Sequence, residues 1–211
     1  MQSPSHEMSD LRSRILKKLV SYIVGIRIHG RGGQGGVVSS KILALAFHAD
    51  GICPQTFPKY GVERRGAPAA AFVRLSQNHT LIPLRCEIYH PHHLIVLDET
   101  LLQLSDTLAG LVPGGWIVVN STKPPNAFKE LNQKFKVASI DVTSIALKRK
   151  LGTELAPIVN SAILGAFAKI FQSPTIESLE QAIHKMIPSK QKENALAARE
   201  AYEQILPARD R

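Results

Sequence analysis

The sequence predicts an α/β fold: a three-layer α/β/α arrangement with a mostly parallel or mixed central sheet and a Rossmann-like first βα unit. Three observations carry this. Short apolar runs of strand length alternate with longer segments of helical periodicity through most of the chain, the pattern of a helix-covered sheet. The first such pair is joined by the glycine-rich turn Gly30-Arg-Gly-Gly-Gln-Gly35, so a strand runs straight into a helix N-terminus. At 211 residues the chain suits one α/β domain with a well-formed core.

Taken in order, residues 8–21 place Leu11, Ile15 and Leu19 at helical spacing among charged positions, predicting a short amphipathic lead-in helix within an N-terminal extension over 1–21. A strand follows from about Tyr22 to His29. After the glycine turn, Val38, Ile42 and Leu45 recur at helical spacing to about Ala49, and Asp50-Gly51 closes that helix. A second strand covers Ile52 to Phe57. Pro58 to Pro68 is a loop by composition. Ala69 to Leu75 reads as a strand, with Thr80 to Leu84 as a weaker one paired to it. Leu94 to Leu97 is a short buried strand ending at Asp98. Residues 99–111 read as a helix, Pro113-Gly114-Gly115 as a turn, and Trp116 to Val119 as the next strand. Phe135 to Asp141 is a further strand candidate, followed by a helix-rich stretch from Thr143 to Ile187. The last helix covers 193–206, stopped by Pro207, with 207–211 as a tail.

Composition is that of a globular protein: 44% hydrophobic and 20% charged residues. No apolar run approaches the ~20 residues of a membrane helix, and residues 1–21 lack the apolar centre of a secretory signal. The expectation is a cytoplasmic protein with no membrane partner. The formal net charge is +9, and between Arg27 and His93 eight Lys/Arg stand against three acids. Aromatics are only 6%, too few for a nucleic-acid stacking platform, so a phosphorylated small molecule or an acidic protein partner accounts better for the excess. Cys53 and Cys86 are isolated from each other, so the chain supplies no four-cysteine iron–sulfur or zinc set.

The glycine loop is an anion cradle by type: backbone N–H groups at a helix start attract negative charge. A dinucleotide reading requires an acid at the end of the second strand, ~20 residues on. Asp50 lies at that distance but precedes the strand, and the strand ends in Thr-Phe-Pro. The loop also lacks the Gly-Lys-Ser/Thr ending of an ATP phosphate loop. It fits a phosphate group or a tightly packed partner, or else it is a ligand-free strand–helix turn. Arg64 and Arg65, beside Glu63, could grip phosphate or carboxylate, or sit in a salt-bridged loop. His90, His92 and His93 read as a strand-entry loop rather than a metal site. Asp98, at the carboxyl end of a buried strand, stands where open sheets place ligands or helix caps. No catalytic residue and no metal ligand is expected on this chain.

Several segments together, in order and spacing, carry a resemblance: Gly30-Arg-Gly-Gly-Gln-Gly35, Gln55-Thr-Phe-Pro-Lys-Tyr-Gly-Val-Glu-Arg-Arg-Gly-Ala-Pro68, Ala71-Phe-Val-Arg-Leu-Ser76, Ile95-Val-Leu-Asp98, Asn160-x-x-x-Leu-Gly-Ala166 and the tail from Asn194 to Tyr202. Over residues 22–206 the chain resembles the gamma subunit of pyruvate (2-oxoacid):ferredoxin oxidoreductases. The resemblance implies CoA-dependent oxidative decarboxylation of a 2-oxoacid, pyruvate by default, to acyl-CoA and CO2 by a complex in which this chain is not active alone. It implies thiamine diphosphate, Mg2+ and iron–sulfur clusters on alpha, beta and ferredoxin-like delta partner subunits, with ferredoxin or flavodoxin as acceptor. It further implies that Gly30, Gly32, Gly33, Gln34 and Gly35 face the diphosphate of coenzyme A, that Arg31 adds charge, and that Arg64 and Arg65 line the same side or the interface with the thiamine-bearing subunit. Two other readings stand beside it: the small subunit of indolepyruvate oxidoreductase, and a stand-alone nucleotide-binding dehydrogenase.

Overall fold

The computed structural model describes residues 23–59, 66–76, 82 and 86–205. The expected helix over 8–21, the interior of the 58–68 loop, most of the weak strand at 80–84 and the tail lie outside the described residues. Six strands form one mixed sheet: β1 (Ile23–Arg31), β2 (Cys53–Pro58), β3 (Pro68–Ser76), β4 (His93–Val96), β5 (Trp116–Asn120) and β6 (Lys136–Ile140), in the order β2-β3-β1-β4-β5-β6. β1, β4, β5 and β6 run parallel, while β3 is antiparallel to both β1 and β2.

Period-two alternation decides which side chain serves which face. Ile26, Ile28, Val73, Leu75, Ile95, Leu97, Val118 and Ala138 point to one side. Five helices bury that side: α1 (Gly36–Ala49), α3 (Val142–Lys148), α4 (Asn160–Phe171), α5 (Ile176–Met186) and α6 (Gln191–Gln204). Leu94, Val96, Ile117, Val119 and Val137 point to the other, under a thinner layer. That layer is a 3-10 turn at Glu99–Gln103, the short helix α2 (Ser105–Leu108) and two further 3-10 turns before β6. It packs through Leu101, Leu102, Leu108, Leu111, Phe128, Leu131 and Phe135.

The α/β fold and mixed sheet match the expectation; two local readings need correction. The helix expected over 99–111 is broken at Leu104, whose extended backbone (φ −85, ψ 130) separates the 3-10 turn from α2. The helix-rich stretch after 143 contains a small antiparallel hairpin, β7 (Gly152–Thr153) with β8 (Ala156–Pro157).

Two packing details position the site. α4 and α6 approach at backbone contact, since a Cβ on Gly165 would lie 1.8 Å from the Ala198 carbonyl oxygen. The sheet order also creates a switch point: the chain leaves β1 toward β2 and β3, but leaves β4 toward β5 and β6. Open α/β sheets bind ligands in the crevice at the carboxyl ends of the strands where the order reverses.

Candidate functional site

The crevice between β1 and β4 holds the glycine loop. Gly30 has no side chain because Leu97 leaves no room; a Cβ there would lie 2.7 Å from Leu97 Cδ1. Gly33 (φ 97) and Gly35 (φ 83) occupy the left-handed region that favours glycine. The loop is laced internally. The Arg31 N–H donates to Gln34 Oε1 at 2.7 Å, and the Gln34 N–H donates to the Arg31 carbonyl at 2.9 Å. The Gly32 N–H donates to Ala67 O, while the Gly66 N–H donates back to Gly32 O. Three amides of the expected cradle are therefore already engaged by the chain.

The available donors lie one step further on, at the start of α1. No side chain caps that helix, and its first turn carries no acid. The first four N–H groups of a helix lack intrahelical partners and carry the positive end of its dipole. A second helix start meets this one. α4 begins at Asn160, which is 4% exposed. A Cβ on Gly35 would lie 2.7 Å from Asn160 Nδ2. Ser39 Oγ donates to the Asn160 carbonyl at 3.3 Å, and Asn160 Oδ1 accepts from the Ser161 N–H at 2.8 Å. Two helix N-termini thus converge, with the Asn160 amide between them. Sequence reading noted Asn160 only within a motif; no local signal tells that it packs on a glycine 125 positions earlier.

Arg31 does not point into this cradle. Its Nε donates to Asp98 Oδ2 at 2.7 Å, Nη2 to Thr100 Oγ1 at 2.8 Å and Nη1 to the Gly66 carbonyl at 3.1 Å. Asp98 in turn accepts from the Thr100 N–H and hydroxyl. Burial opposes ionisation of Asp98, but the bonds from Thr100 and Arg31 outweigh it and hold the carboxyl below its ordinary range. Arg64 and Arg65 lie outside the described residues.

Beside the loop, a cleft of about 460 Å³ runs along the carboxyl ends of β4, β5 and β6, lined by Gln34, Asp98, Glu99, Asn120, Asp141 and Thr143 among others. Each carboxylate in it is engaged: Asp98 by Arg31, Glu99 by Lys123 and Ser121, and Asp141 by Ser144 as the cap of α3. The hydrogen bond from Ser121, then that from Lys123, lowers the Glu99 carboxyl. Asn120 ties the cleft floor together, donating to the Leu97 carbonyl and to Thr143 Oγ1, each at 3.0 Å.

Other polar residues singled out in the sequence have structural duties. Asp50 sits at the far end of α1, where it accepts from the Thr175 N–H at 2.6 Å, from Thr175 Oγ1 and from Ser178 Oγ at the start of α5. His92 Nδ1 accepts from the Gly25 N–H at 3.0 Å, and His93 Nδ1 from the Trp116 N–H at 3.1 Å. Among the described residues no cluster of three or more His, Cys, Asp or Glu could hold a metal ion. The two cysteines of the whole chain also cannot furnish the four thiolates of an iron–sulfur cluster.

The sequence model of the pyruvate ferredoxin/flavodoxin oxidoreductase family matches residues 25–204. The chain belongs to this family. Among its curated relatives within the oxidoreductase family, pyruvate synthase subunit PorC of Methanocaldococcus jannaschii is 44% identical, covering 87% of this chain and 98% of that protein. The common gamma subunit of pyruvate/ketoisovalerate oxidoreductases from Pyrococcus furiosus is 45% identical, covering 86% and 96%. The crystal structure of pyruvate oxidoreductase subunit PORC from Thermotoga maritima superimposes with a TM-score of 0.73 at 31% identity, over 89% of this chain and 99% of that one. This member of the oxidoreductase family therefore spans nearly the full length of those relatives, and the sheet and helices that build the crevice lie within the matched region. Among the described residues no helix is long and apolar enough to cross a membrane.

Proposed function

We propose that this chain is the gamma subunit of a multisubunit 2-oxoacid:ferredoxin oxidoreductase, with pyruvate as the leading substrate, and that its converging helix N-termini hold the diphosphate of coenzyme A. The subunit reading rests on near-full-length coverage of PorC and gamma-subunit relatives at 44–45% identity. Neither the indolepyruvate small subunit nor a stand-alone dehydrogenase has comparable support. A gamma subunit common to pyruvate and ketoisovalerate enzymes, as in the Pyrococcus furiosus relative, cannot itself distinguish the two oxoacids. Substrate choice then belongs to another subunit.

The coenzyme A reading is carried by the meeting of Gly35 with Asn160. The uncapped start of α1, with the Asn160 amide packed beside Gly35, suits a diphosphate, whose charge attracts the N–H groups of that helix start. When bound in the complex, thiamine diphosphate with Mg2+ supplies carbanion chemistry and iron–sulfur clusters carry electrons, on alpha, beta and delta partner subunits. This chain's own contribution is to bind and orient the acyl acceptor. Arg31 acts here as a brace on the loop, through Asp98, Thr100 and Gly66. Arg64 and Arg65 are assigned to the same side or to the subunit interface on family resemblance. The setting is cytoplasmic, with ferredoxin or flavodoxin receiving the electrons.

Two variants of the assembled complex test this reading. Asn160→Asp places a negative charge beside the diphosphate, and Gly33→Ala strains a left-handed position of the loop. Both should raise KM for coenzyme A, Asn160→Asp by about tenfold or more, an effect of about 1.4 kcal/mol. The thiamine-dependent half-reaction should be spared. An unchanged KM in Asn160→Asp refutes the assignment.

A further inference from the structure

We propose that the β7–β8 hairpin is a docking finger whose apolar tip enters a carboxylate-rimmed pocket on a partner subunit of the same complex. The proposal rests on the gamma-subunit reading above for the partner's identity, and on the hairpin itself for the surface. Leu151 and Val159 anchor its two roots in the core, each 1% exposed. Between them the chain leaves the body of the protein. Residues 152–156 are all exposed, and Leu155-Ala156-Pro157-Ile158 forms an apolar run with Leu155 at 99% and Ile158 at 44% exposure. An exposed run of consecutive apolar residues disfavours solubility, and Leu155 serves no packing role within the subunit.

The finger has a built shape. Its arms pair Gly152 with Pro157 and Thr153 with Ala156, and the Ile158 N–H donates to the Leu151 carbonyl at 3.1 Å. Gly152 adopts φ 80, and a Cβ there would lie 2.2 Å from the Ala156 carbonyl oxygen, so the arms close on a position only glycine fits. A preshaped apolar tip loses little conformational entropy on docking.

Charge around the base indicates what surrounds the receiving pocket. Lys148, Arg149 and Lys150 lead into the hairpin, and Lys190 Nζ reaches the Lys150 carbonyl at 2.5 Å. Lys148 and Arg149 share Glu200. Lys150 and Lys190 have no ion-pair partner among the described residues, leaving a basic excess at the base, while the hairpin itself carries one acid, Glu154, beside Leu155. An apolar knob within a basic collar is complementary to an apolar pocket with an acidic rim. The finger also joins directly to Asn160 through Ile158 and Val159, so the interface adjoins the proposed coenzyme A cradle.

The test is assembly of the full chain with its co-expressed partner subunits, comparing wild type, Leu155→Arg and Lys150→Glu by size-exclusion chromatography and titration. Leu155→Arg is expected to weaken association at least tenfold, and Lys150→Glu to weaken it with a reduced dependence on salt. The unfolding midpoint of the Leu155→Arg chain should not move, because that side chain touches nothing within the subunit. Wild-type association by Leu155→Arg overturns the docking finger while leaving the gamma-subunit reading intact. A wild-type chain that binds no oxidoreductase subunit overturns that reading and the named partner together. Self-association of the isolated wild-type chain that Leu155→Arg abolishes also overturns the proposal, since the occupant is then a second copy. Unchanged association in Lys150→Glu overturns the acidic rim.

Discussion

Arg31 donates from Nε to Asp98 Oδ2 at 2.7 Å, joining the glycine loop after β1 to the end of β4. The same guanidinium holds Thr100 and the Gly66 carbonyl, so one planar fork spans three segments that meet only in the folded chain.

Arg31→Lys should therefore act as a loss of bracing. Lysine keeps the charge but cannot reproduce three bonds in fixed directions. The pair is partly solvated, which limits its worth to about 1 kcal/mol, or about 2–4 °C in Tm for a domain of this size. Asp98→Asn should cost a similar amount. Thermal unfolding of both variants checks this. A raised KM for coenzyme A at unchanged Tm would show instead that Arg31 faces the ligand.

Gly165→Ala should destabilise the α4–α6 contact. Its Cβ would fall 1.8 Å from a backbone oxygen, which no side-chain rotation relieves. Overpacking of this kind costs about 1–3 kcal/mol. Chemical denaturation should show a lower midpoint at an unchanged slope; a wild-type midpoint would disprove the close approach.

Asp50→Ala removes the acceptor for the Thr175 N–H, Thr175 Oγ1 and Ser178 Oγ at the start of α5. Loss of comparable caps costs about 0.5–2 kcal/mol. Hydrogen exchange should accelerate in α5 first, with no change in KM for coenzyme A. An effect on KM alone would instead make Asp50 a ligand residue.

Acid should destabilise the chain through its buried imidazoles. Burial, then neighbouring charge, lowers His93 to about 4 and His29 to about 3. Both are neutral in the folded state, and His93 needs that form to accept from Trp116. Depressed folded values mean that this stability is complete above the unfolded pKa near 6.5. It is lost as pH falls from there through 4 and then 3. His93→Asn, which keeps an acceptor but does not titrate, should flatten the decline between pH 6.5 and 4. An identical pH profile for variant and wild type would contradict this.

Elements written in local pattern were legible without a structure. The apolar run of β1, the helical spacing of Val38, Ile42 and Leu45, and the runs of β3 and β5 each depend on neighbours within a few positions. Where tertiary contact outweighed local preference, the reading failed. The backbone turns extended at Leu104 within a segment of helical pattern, and the Gly152–Pro157 arms are too short to carry a period. The glycine loop was legible as an anion site by type, but not which of its amides remain available. That depends on Gln34 folding back and on Ala67 arriving from the next loop.

The sequence by itself determined the fold class, the family through its ordered motifs, and the placement of an anion-favouring turn at a helix start. Backbone stereochemistry and hydrophobic period act over short range, so they are readable in one dimension. Only the tertiary structure decided that Arg31 braces against Asp98, 67 positions away, and that Asn160 brings a second helix start to Gly35. Hydrogen bonds and dipoles depend on distance in space; the pairing of β1 with β4 brings Arg31 to Asp98, and the packing of α4 beside α1 brings Asn160 to Gly35.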